Sequence, residues 1–195
     1  MFMDVRIKDE IRIRNARHDE LEALGALVQA SYAEFEPGYP PESWQRYYTM
    51  LGEVAAHFER SEIIVAERVP SPAGHSATDR ASAPGAGDSP ALVGTVTFYP
   101  DGSLSGQGEW PHGWAGVLRL GVLPGYRGLG LGRALVDECV RRCHQRGIET
   151  LALHTTEWMA VARGMYERMG FQRDPAFDFI PRSGVYAFGY KLRLD

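Results

Sequence analysis

The chain of 195 residues has only two cysteines, Cys139 and Cys143, which is too few for a disulfide framework. Their spacing of four residues places both on one face of a helix. A metal site would need further ligands nearby, so none is expected. We therefore predict two free thiols on a buried or half-buried helix face, which suits a reducing compartment.

Long apolar runs are also missing. No stretch approaches the roughly 20 apolar residues of a membrane span, and residues 1–6 lack the apolar core of a signal peptide. We therefore expect a soluble cytoplasmic protein without a membrane partner.

There is no excess of basic residues either. Lys and Arg total 21 against 25 Asp and Glu, a formal net charge of −4. Nucleic-acid binders usually carry a basic surplus, so no nucleic-acid partner is expected. A mildly acidic chain is compatible with an amine substrate, but net charge alone does not select one.

Residues 70–90 contain no aromatic and no large aliphatic side chain. All are Pro, Ser, Ala, Gly or Thr except His75, Asp79, Arg80 and Asp88. Such a segment cannot bury a core, and we predict a mobile loop at the tip of a hairpin, not a domain boundary. The length and the 44% of hydrophobic residues then suit a single domain over residues 1–195.

Hydrophobic periodicity predicts the element order β-α-α-β-β-β-α-β-α-β-β. Strands are expected near residues 11–14, 63–66, 92–99, 117–122, 150–154, 176–180 and 185–194. Helices are expected from about residue 18, over 41–60 and 131–145, and over 158–169, where Trp158, Val161 and Tyr166 share an apolar stripe. The fold class is α/β, a mixed and mostly antiparallel central sheet with helices on both faces.

A glycine-rich loop joins a predicted strand to a predicted helix. It consists of Arg127, Gly128, Leu129, Gly130, Leu131 and Gly132. A helix N-terminus exposes unpaired N–H groups, and glycines let that backbone approach an anion closely. A pyrophosphate is the expected ligand, with Arg127 adding charge-assisted bonds. A tight β–α turn without a ligand is the structural alternative.

Two common phosphate loops fit this segment poorly. A Walker loop needs Gly-Lys followed by Ser or Thr, whereas Gly132 is followed by Arg133 and Ala134. A dinucleotide loop has G-x-G-x-x-G and an acid at the end of the next strand. Here the spacing is G-x-G-x-G and that strand ends in His154, so both alternatives are weakened.

The loop instead resembles the central signature of the GNAT superfamily of acyl-CoA N-acyltransferases. Arg127, Gly130 and Gly132 fill its spacing of Arg or Gln, two residues, Gly, one residue, then Gly or Ala. The next predicted helix and the residues just after it resemble a second motif of the family. The matching residues are Ala162, Met165, Tyr166, Gly170 and Phe171. The resemblance covers nearly the whole chain outside residues 70–90, and it implies a GNAT-like fold.

The resemblance further implies acetyl-CoA as cosubstrate, no metal, and direct transfer in a ternary complex to a primary amine of a small molecule or protein. The thioester would lie between the strands at 117–122 and 150–154, with an N–H of residues 120–122 polarising its carbonyl. The residues assigned to the cofactor are Leu120, Gly121, Val122, Arg127, Gly128, Leu129, Gly130, Leu131 and Gly132.

Tyr166 is the predicted catalytic residue, because a phenol at that motif position can protonate the departing thiolate. The general base stays open among His154, Glu157, Glu109, His112 and a chain of waters. Two positions depart from the family pattern. Met159 stands where Asn often helps to hold the cofactor, and Gly116 stands about where some members carry a catalytic Glu.

These departures keep a second hypothesis open, a CoA-binding regulatory module without chemistry. The acceptor pocket is not identified by any motif. Trp44, Tyr47, Tyr48 and Trp110 are candidates for its wall, or are simply core residues. A homodimer is a further possibility, with the final strands pairing between subunits.

Overall fold

The computed structural model describes residues 10–70, 90–181 and 184–194. Within these ranges one sheet has the strand order β1-β2-β3-β4-β5-β7-β6. Its strands are β1 Glu10–Asn15, β2 Glu62–Val69, β3 Ala91–Tyr99, β4 Ala115–Val122, β5 Thr150–Thr155, β6 Gln172–Arg173 and β7 Phe188–Arg193. The helices are α1 Leu21–Tyr32, α2 Pro41–Gly52, α3 Leu131–Arg146 and α4 Ala160–Arg168.

All strand pairs are antiparallel except β4 with β5, which run parallel. This confirms the predicted mixed, mostly antiparallel sheet and the predicted order of elements. The parallel pair is joined through α3, as a parallel connection requires a crossover. The hairpin of β2 and β3 also forms as predicted, with Arg68 opposite Ala91.

Two cores lie on opposite faces of the sheet. One packs α3 and α4 against the sheet, with Leu135, Val136 and Tyr166 among its buried members. The other packs α1 and α2 and includes Leu24 and Trp44. Helices therefore cover both faces, as expected of a sheet whose central strands are apolar on both sides.

Cys139 and Cys143 are free and buried in the core beneath α3, as predicted. Burial raises the pKa of the Cys143 thiol to about 12 and also raises the pKa of Cys139. Both side chains stay protonated at neutral pH and serve as small apolar groups in the core.

The predicted strand at 176–180 is wrong. A 3₁₀ turn, Pro175–Phe177, occupies its start, and the Asp174 carboxylate accepts a hydrogen bond from the Ala176 N–H. Proline has no N–H for a ladder, and an Asp side chain that caps a turn competes with strand pairing. Only Phe179 pairs, as a single bridge with Ala187, while the strand itself lies earlier, at β6.

Two helices are shorter than predicted. The helix expected over 41–60 ends at Gly52, and a 3₁₀ helix, Ala55–Arg60, follows it. A Cβ on Gly25 would lie 2.5 Å from the Gly52 carbonyl oxygen, so the two helices approach too closely there for any other residue. The last helix begins only at Ala160, which leaves Val161 88% exposed and not on the predicted apolar stripe.

None of the described helices is long and apolar enough to cross a membrane. β7 lies between β5 and β6, and the short β6 pairs only with Lys191 and Tyr190 on that edge. The homodimer stays a prediction.

The hairpin register yields a test of the predicted loop at 70–90, most of which lies outside the described residues. Because Arg68 and Ala91 are already paired, a short Gly-Ser turn should connect β2 to β3. Loop length enters closure entropy only logarithmically, so Tm should change by a few degrees at most. Thermal melts of the shortened and full chains measure this, and a much larger loss would show that the segment packs on the core.

Candidate active site

β4 and β5 separate soon after they pair. Only Ala115, Gly116 and Val117 have partners on β5, the last opposite Leu153. Beyond that point β4 continues beside β3 alone, and its other edge faces a wedge-shaped gap. A cavity of about 570 Å³ fills the gap, lined by β4, the glycine loop and the start of α4. The gap predicted between these two strands is therefore present.

β4 carries a bulge inside this gap. The pairing of β4 with β3 shifts register between Thr95 and Thr97, and Arg119 adopts a φ of 52°. A positive φ is rare for a residue with a Cβ, and a bulge turns the following backbone groups in a new direction. Strain of this kind concentrates at functional sites. The strained residue lies at the centre of the cavity wall formed by β4.

The glycine loop forms one end of the cavity. Gly128 and Gly130 have φ values of 75° and 80°, and α3 begins at Leu131 with no side chain capping its N-terminus. A Cβ at Gly128 or Gly130 would meet no atom within 4 Å, so the loop surface is open. The first turn of α3 has no side-chain cap, and Gly130, Leu131 and Gly132 line the cavity, an arrangement in which helix N-termini bind anions.

Most of the residues predicted to hold the cofactor come together here. Leu120, Gly121, Val122, Arg127, Gly128, Gly130, Leu131 and Gly132 all line the cavity. The exception is Leu129, which is not part of the lining and is 46% exposed. Position 121 also requires a glycine for packing, since a Cβ there would lie 3.1 Å from Ser31 of α1.

The Arg127 guanidinium points toward α1. It pairs with Glu34 at 2.5 Å and donates hydrogen bonds to the carbonyl oxygens of Ser31 and Val122. Three interactions tie the glycine loop to α1 and to the end of β4. The predicted contact of this guanidinium with a pyrophosphate stays a prediction, because three of its five N–H donors bind these partners and hold the group toward Ser31 and Glu34.

Tyr166 lines the same cavity and is 5% exposed, with its ring packed against Phe171. Burial raises the pKa of the phenol, so the group stays neutral and can donate a hydrogen throughout the physiological range. The phenol is therefore a hydrogen-bond donor, and its raised pKa makes it a weaker acid than a free tyrosine. The same packing gives Tyr166 a place in the core, so both of its predicted roles are compatible with the structure.

The candidates for a general base are placed unfavourably. His154 lies at the border of the gap, but its Nε2–H donates to the Phe177 carbonyl at 2.8 Å and its ring stacks on Trp110. Burial lowers the pKa of His154 to about 4, which makes it a weak base at neutral pH. Glu157, Glu109 and His112 are exposed and do not line the cavity.

A second cavity, of about 680 Å³, lies on the α1 and α2 side of the gap. It shares Tyr32, Arg119, His154 and Met159 with the first cavity, so the two meet where β4 and β5 separate. Of the predicted acceptor-wall candidates, only Tyr47 lines it. Trp44 and Trp110 are buried core residues.

Sequence reasoning missed several residues of the site. Arg119 is the only charged residue within β4, and that signal was available in the sequence. Arg133 and Arg168 line the rim of the first cavity, as does Trp158, which precedes α4 and covers Gly38. Met159 is the residue before the first turn of α4 and provides no side-chain cap.

Comparisons with known proteins agree with this geometry. The family model described as the acetyltransferase (GNAT) family matches residues 26–171, well over half of the chain. The chain belongs to the GNAT acetyltransferase family. The matched range contains the glycine loop, both strands of the gap and Tyr166.

Individual relatives are more distant. A mycothiol acetyltransferase of Beutenbergia cavernae is 44% identical over 55 residues, which is 28% of this chain and 18% of that protein. A GNAT acetyltransferase structure from Staphylococcus aureus matches with a TM-score of 0.63 at 16% identity, covering 95% of this chain and 100% of that one. The PaiA N-acetyltransferase of Thermoplasma acidophilum in complex with coenzyme A matches with a TM-score of 0.62 at 18% sequence identity. The match covers 95% of this chain and 99% of that one. These structures establish the fold.

Replacing Gly132 tests the anion site directly. Gly132 lies in the first turn of α3 without a positive φ, and an added Cβ would lie 3.5 Å from Met165 Sδ, an ordinary contact. Gly132→Asp should therefore fold, since an acid in a first helical turn is favourable. Its charge should repel the cofactor phosphates and weaken acetyl-CoA binding on the order of tenfold or more.

Gly132→Asn is the matched control, with nearly the same shape and no charge. Calorimetry of both variants with acetyl-CoA separates electrostatic repulsion from steric obstruction. Equal affinity of the Asp and Asn variants would contradict a phosphate site at this helix end.

Proposed function

We propose that this chain, as a single domain, transfers an acetyl group from acetyl-CoA to a primary amine by direct attack in a ternary complex. The observation that carries the proposal is the gap between β4 and β5, which has an uncapped glycine-rich helix N-terminus at one end and Tyr166 in its wall. Family membership supports the acyl transfer, and the coenzyme A in the PaiA structure supports the choice of cofactor.

In this proposal the cofactor lies along the exposed edge of β4. The pyrophosphate binds the first N–H groups of α3, and Arg133 and Arg168 at the rim add positive charge near the phosphates. The pantetheine arm pairs with the backbone of Leu120 and Val122 as an added strand would. An N–H of residues 120–122, beyond the bulge, donates to the thioester oxygen.

The acceptor amine enters through the second cavity and attacks the thioester carbon in its neutral form. A bond forms from nitrogen to carbon, the carbon–sulfur bond breaks, and the sulfur leaves with the electron pair. Tyr166 gives its proton to that sulfur as the bond breaks. The amine loses its proton to water, and water in turn reprotonates the phenol.

The competing hypothesis is a module that binds CoA without chemistry. Its support is the scarcity of bases: no Asp or Glu is among the described residues that line the second cavity, and Glu34 in the first is paired with Arg127. Release of CoA thiol over a panel of primary amines discriminates the two. Acetyl-CoA binding without thiol release for any amine would favour the module.

Tyr166→Phe tests the general acid while keeping the ring. Turnover on the best acceptor should fall by about 10²–10⁴-fold or somewhat less, because water replaces a positioned donor. The acetyl-CoA Kd should change little, since the α3 N-terminus provides most of that affinity. Steady-state kinetics beside a thermal melt measures both effects.

Tyr190→Phe is the matched control. Tyr190 is another buried tyrosine, its hydroxyl donates to Glu167, and it does not line the cavity. This variant should lose some stability and keep its turnover. If Tyr166→Phe behaved in the same way, the residue would be structural and water would be the proton donor.

A further inference from the structure

The second cavity has a positive lining. Arg119 lies in its wall and Arg46 at its mouth, and the described residues that line it include no Asp or Glu. An acetyltransferase for polyamines or other cations would be expected to present carboxylates to its acceptor. The charge of this cavity is thus opposite to that of a site for a cationic substrate.

Arg119 is buried without a counter-charge. The residue is 8% exposed, and its Nη2 donates to the Met50 carbonyl oxygen at 3.1 Å. Its Nη1 is buried and has no hydrogen-bond partner. No carboxylate among the described residues forms an ion pair with it. A buried guanidinium with an unused donor is costly, and proteins retain such a group where something binds it.

The groups around Arg119 are mostly neutral, with one carboxylate, Glu53, acting on it more weakly than the phenols. The phenol groups of Tyr32, Tyr47 and Tyr99 lie close enough to influence its electrostatics. Burial, followed by the field of Arg119, lowers the pKa of nearby His57 to about 4, so this imidazole is neutral as well. Glu53 forms no ion pair with Arg119 among the described residues, so the positive charge facing the cavity is only partly balanced by the protein.

Other buried polar atoms without partners belong to residues that line the same cavity. His154 Nδ1, Thr155 Oγ1 and Thr156 Oγ1 are buried without hydrogen-bond partners, and all three residues line the second cavity with Arg119. One unpartnered atom can be accidental. Four such atoms belong to residues of β4, β5 and the position just after β5 that line one cavity, and a polar ligand is one way to complete the set.

We propose that the acceptor is an amine that carries a carboxylate in the same molecule, and that Arg119 binds this carboxylate. The inference rests on the proposed acetyl transfer and specifies its substrate class. Amino acids and their homologues are the simplest members of the class. A guanidinium pairs with a carboxylate through two parallel hydrogen bonds from two of its nitrogens. Nη1 is unused, and Nη2 keeps a second N–H beside its bond to Met50.

The cofactor does not account for the free guanidinium. The expected phosphate site is at the N-terminus of α3, on the opposite face of the sheet. The Arg119 side chain instead reaches the Met50 carbonyl of α2, on the face covered by α1 and α2. An anion that binds the Arg119 side chain would therefore lie on the acceptor side of the gap.

Product binding provides a test that does not depend on turnover. The probes are N-acetylglycine, N-acetyl-β-alanine, N-acetyl-γ-aminobutyrate and N-acetyl-L-phenylalanine, each beside its primary amide. Calorimetry measures their affinity for the full chain saturated with CoA. At least one acid should bind about ten- to a hundredfold more tightly than its amide, as expected for charge-assisted hydrogen bonds. A panel in which no acid binds more tightly than its amide overturns the inference.

Variants identify the residue. Arg119→Gln should reduce the ratio of acid to amide affinity to near one, and Arg119→Lys should keep part of it. Arg12→Gln removes an exposed arginine from β1, outside both cavities, and should leave the ratio unchanged. Acetyl-CoA affinity of each variant reports folding. A preference for acids that survives in folded Arg119→Gln would contradict the assignment.

The corresponding free amines separate this inference from the proposed transfer. Thiol release with glycine, β-alanine, γ-aminobutyrate and L-phenylalanine, and with their amides, gives the ratio of kcat/KM for each pair. If kcat/KM for the amides equals that for the acids, the proposed transfer is supported and the carboxylate site is rejected. Tight binding of acids without any thiol release keeps the site and rejects the transfer.

Discussion

The separation of β4 from β5 after Val117 is the constraint on which the rest of the molecule depends. A central strand normally pairs on both edges, and buried backbone groups without partners are costly. Here one edge of β4 stays unpaired from residue 118 onward. The fold tolerates this cost because the exposed edge lies in a cavity, where an extended ligand arm can supply the missing hydrogen bonds. Both cavities exist only because the two strands diverge.

The surrounding elements hold this gap open. Arg127 joins the glycine loop to Val122 at the end of β4, to Ser31 of α1 and to Glu34 in the 3₁₀ helix that follows α1. Gly121 lets β4 pass close to Ser31, where any Cβ would be crowded. The bulge at Arg119 then gives one residue two environments: the residue lines the first cavity, and its side chain reaches α2 beside the second.

Local patterns predicted much of this arrangement, and residue orientations that depend on tertiary contacts were not predicted. The element order and the glycine loop follow from periodicity and from positions where φ must be positive, both of which a sequence displays. The turn at Pro175–Phe177 was missed because a capping Asp174 outweighed an apolar pattern. The partners of Arg127 and the direction of Arg119 depend on α1, α2 and a bulge, and these are set by packing between distant segments.

The charge of the second cavity bears on how the proposed amine acceptor would lose its proton without a strong base. In the proposed complex, Arg119 and the acceptor carboxylate cancel, and the described lining offers no further carboxylate to hold an ammonium group. A buried ammonium would leave the cavity with a net positive charge, which burial penalises. The neutral amine is thus the form that the cavity favours, and its proton is released to water. Selective binding of the neutral amine then replaces a general base, a role for which His154, with its lowered pKa, is poorly suited.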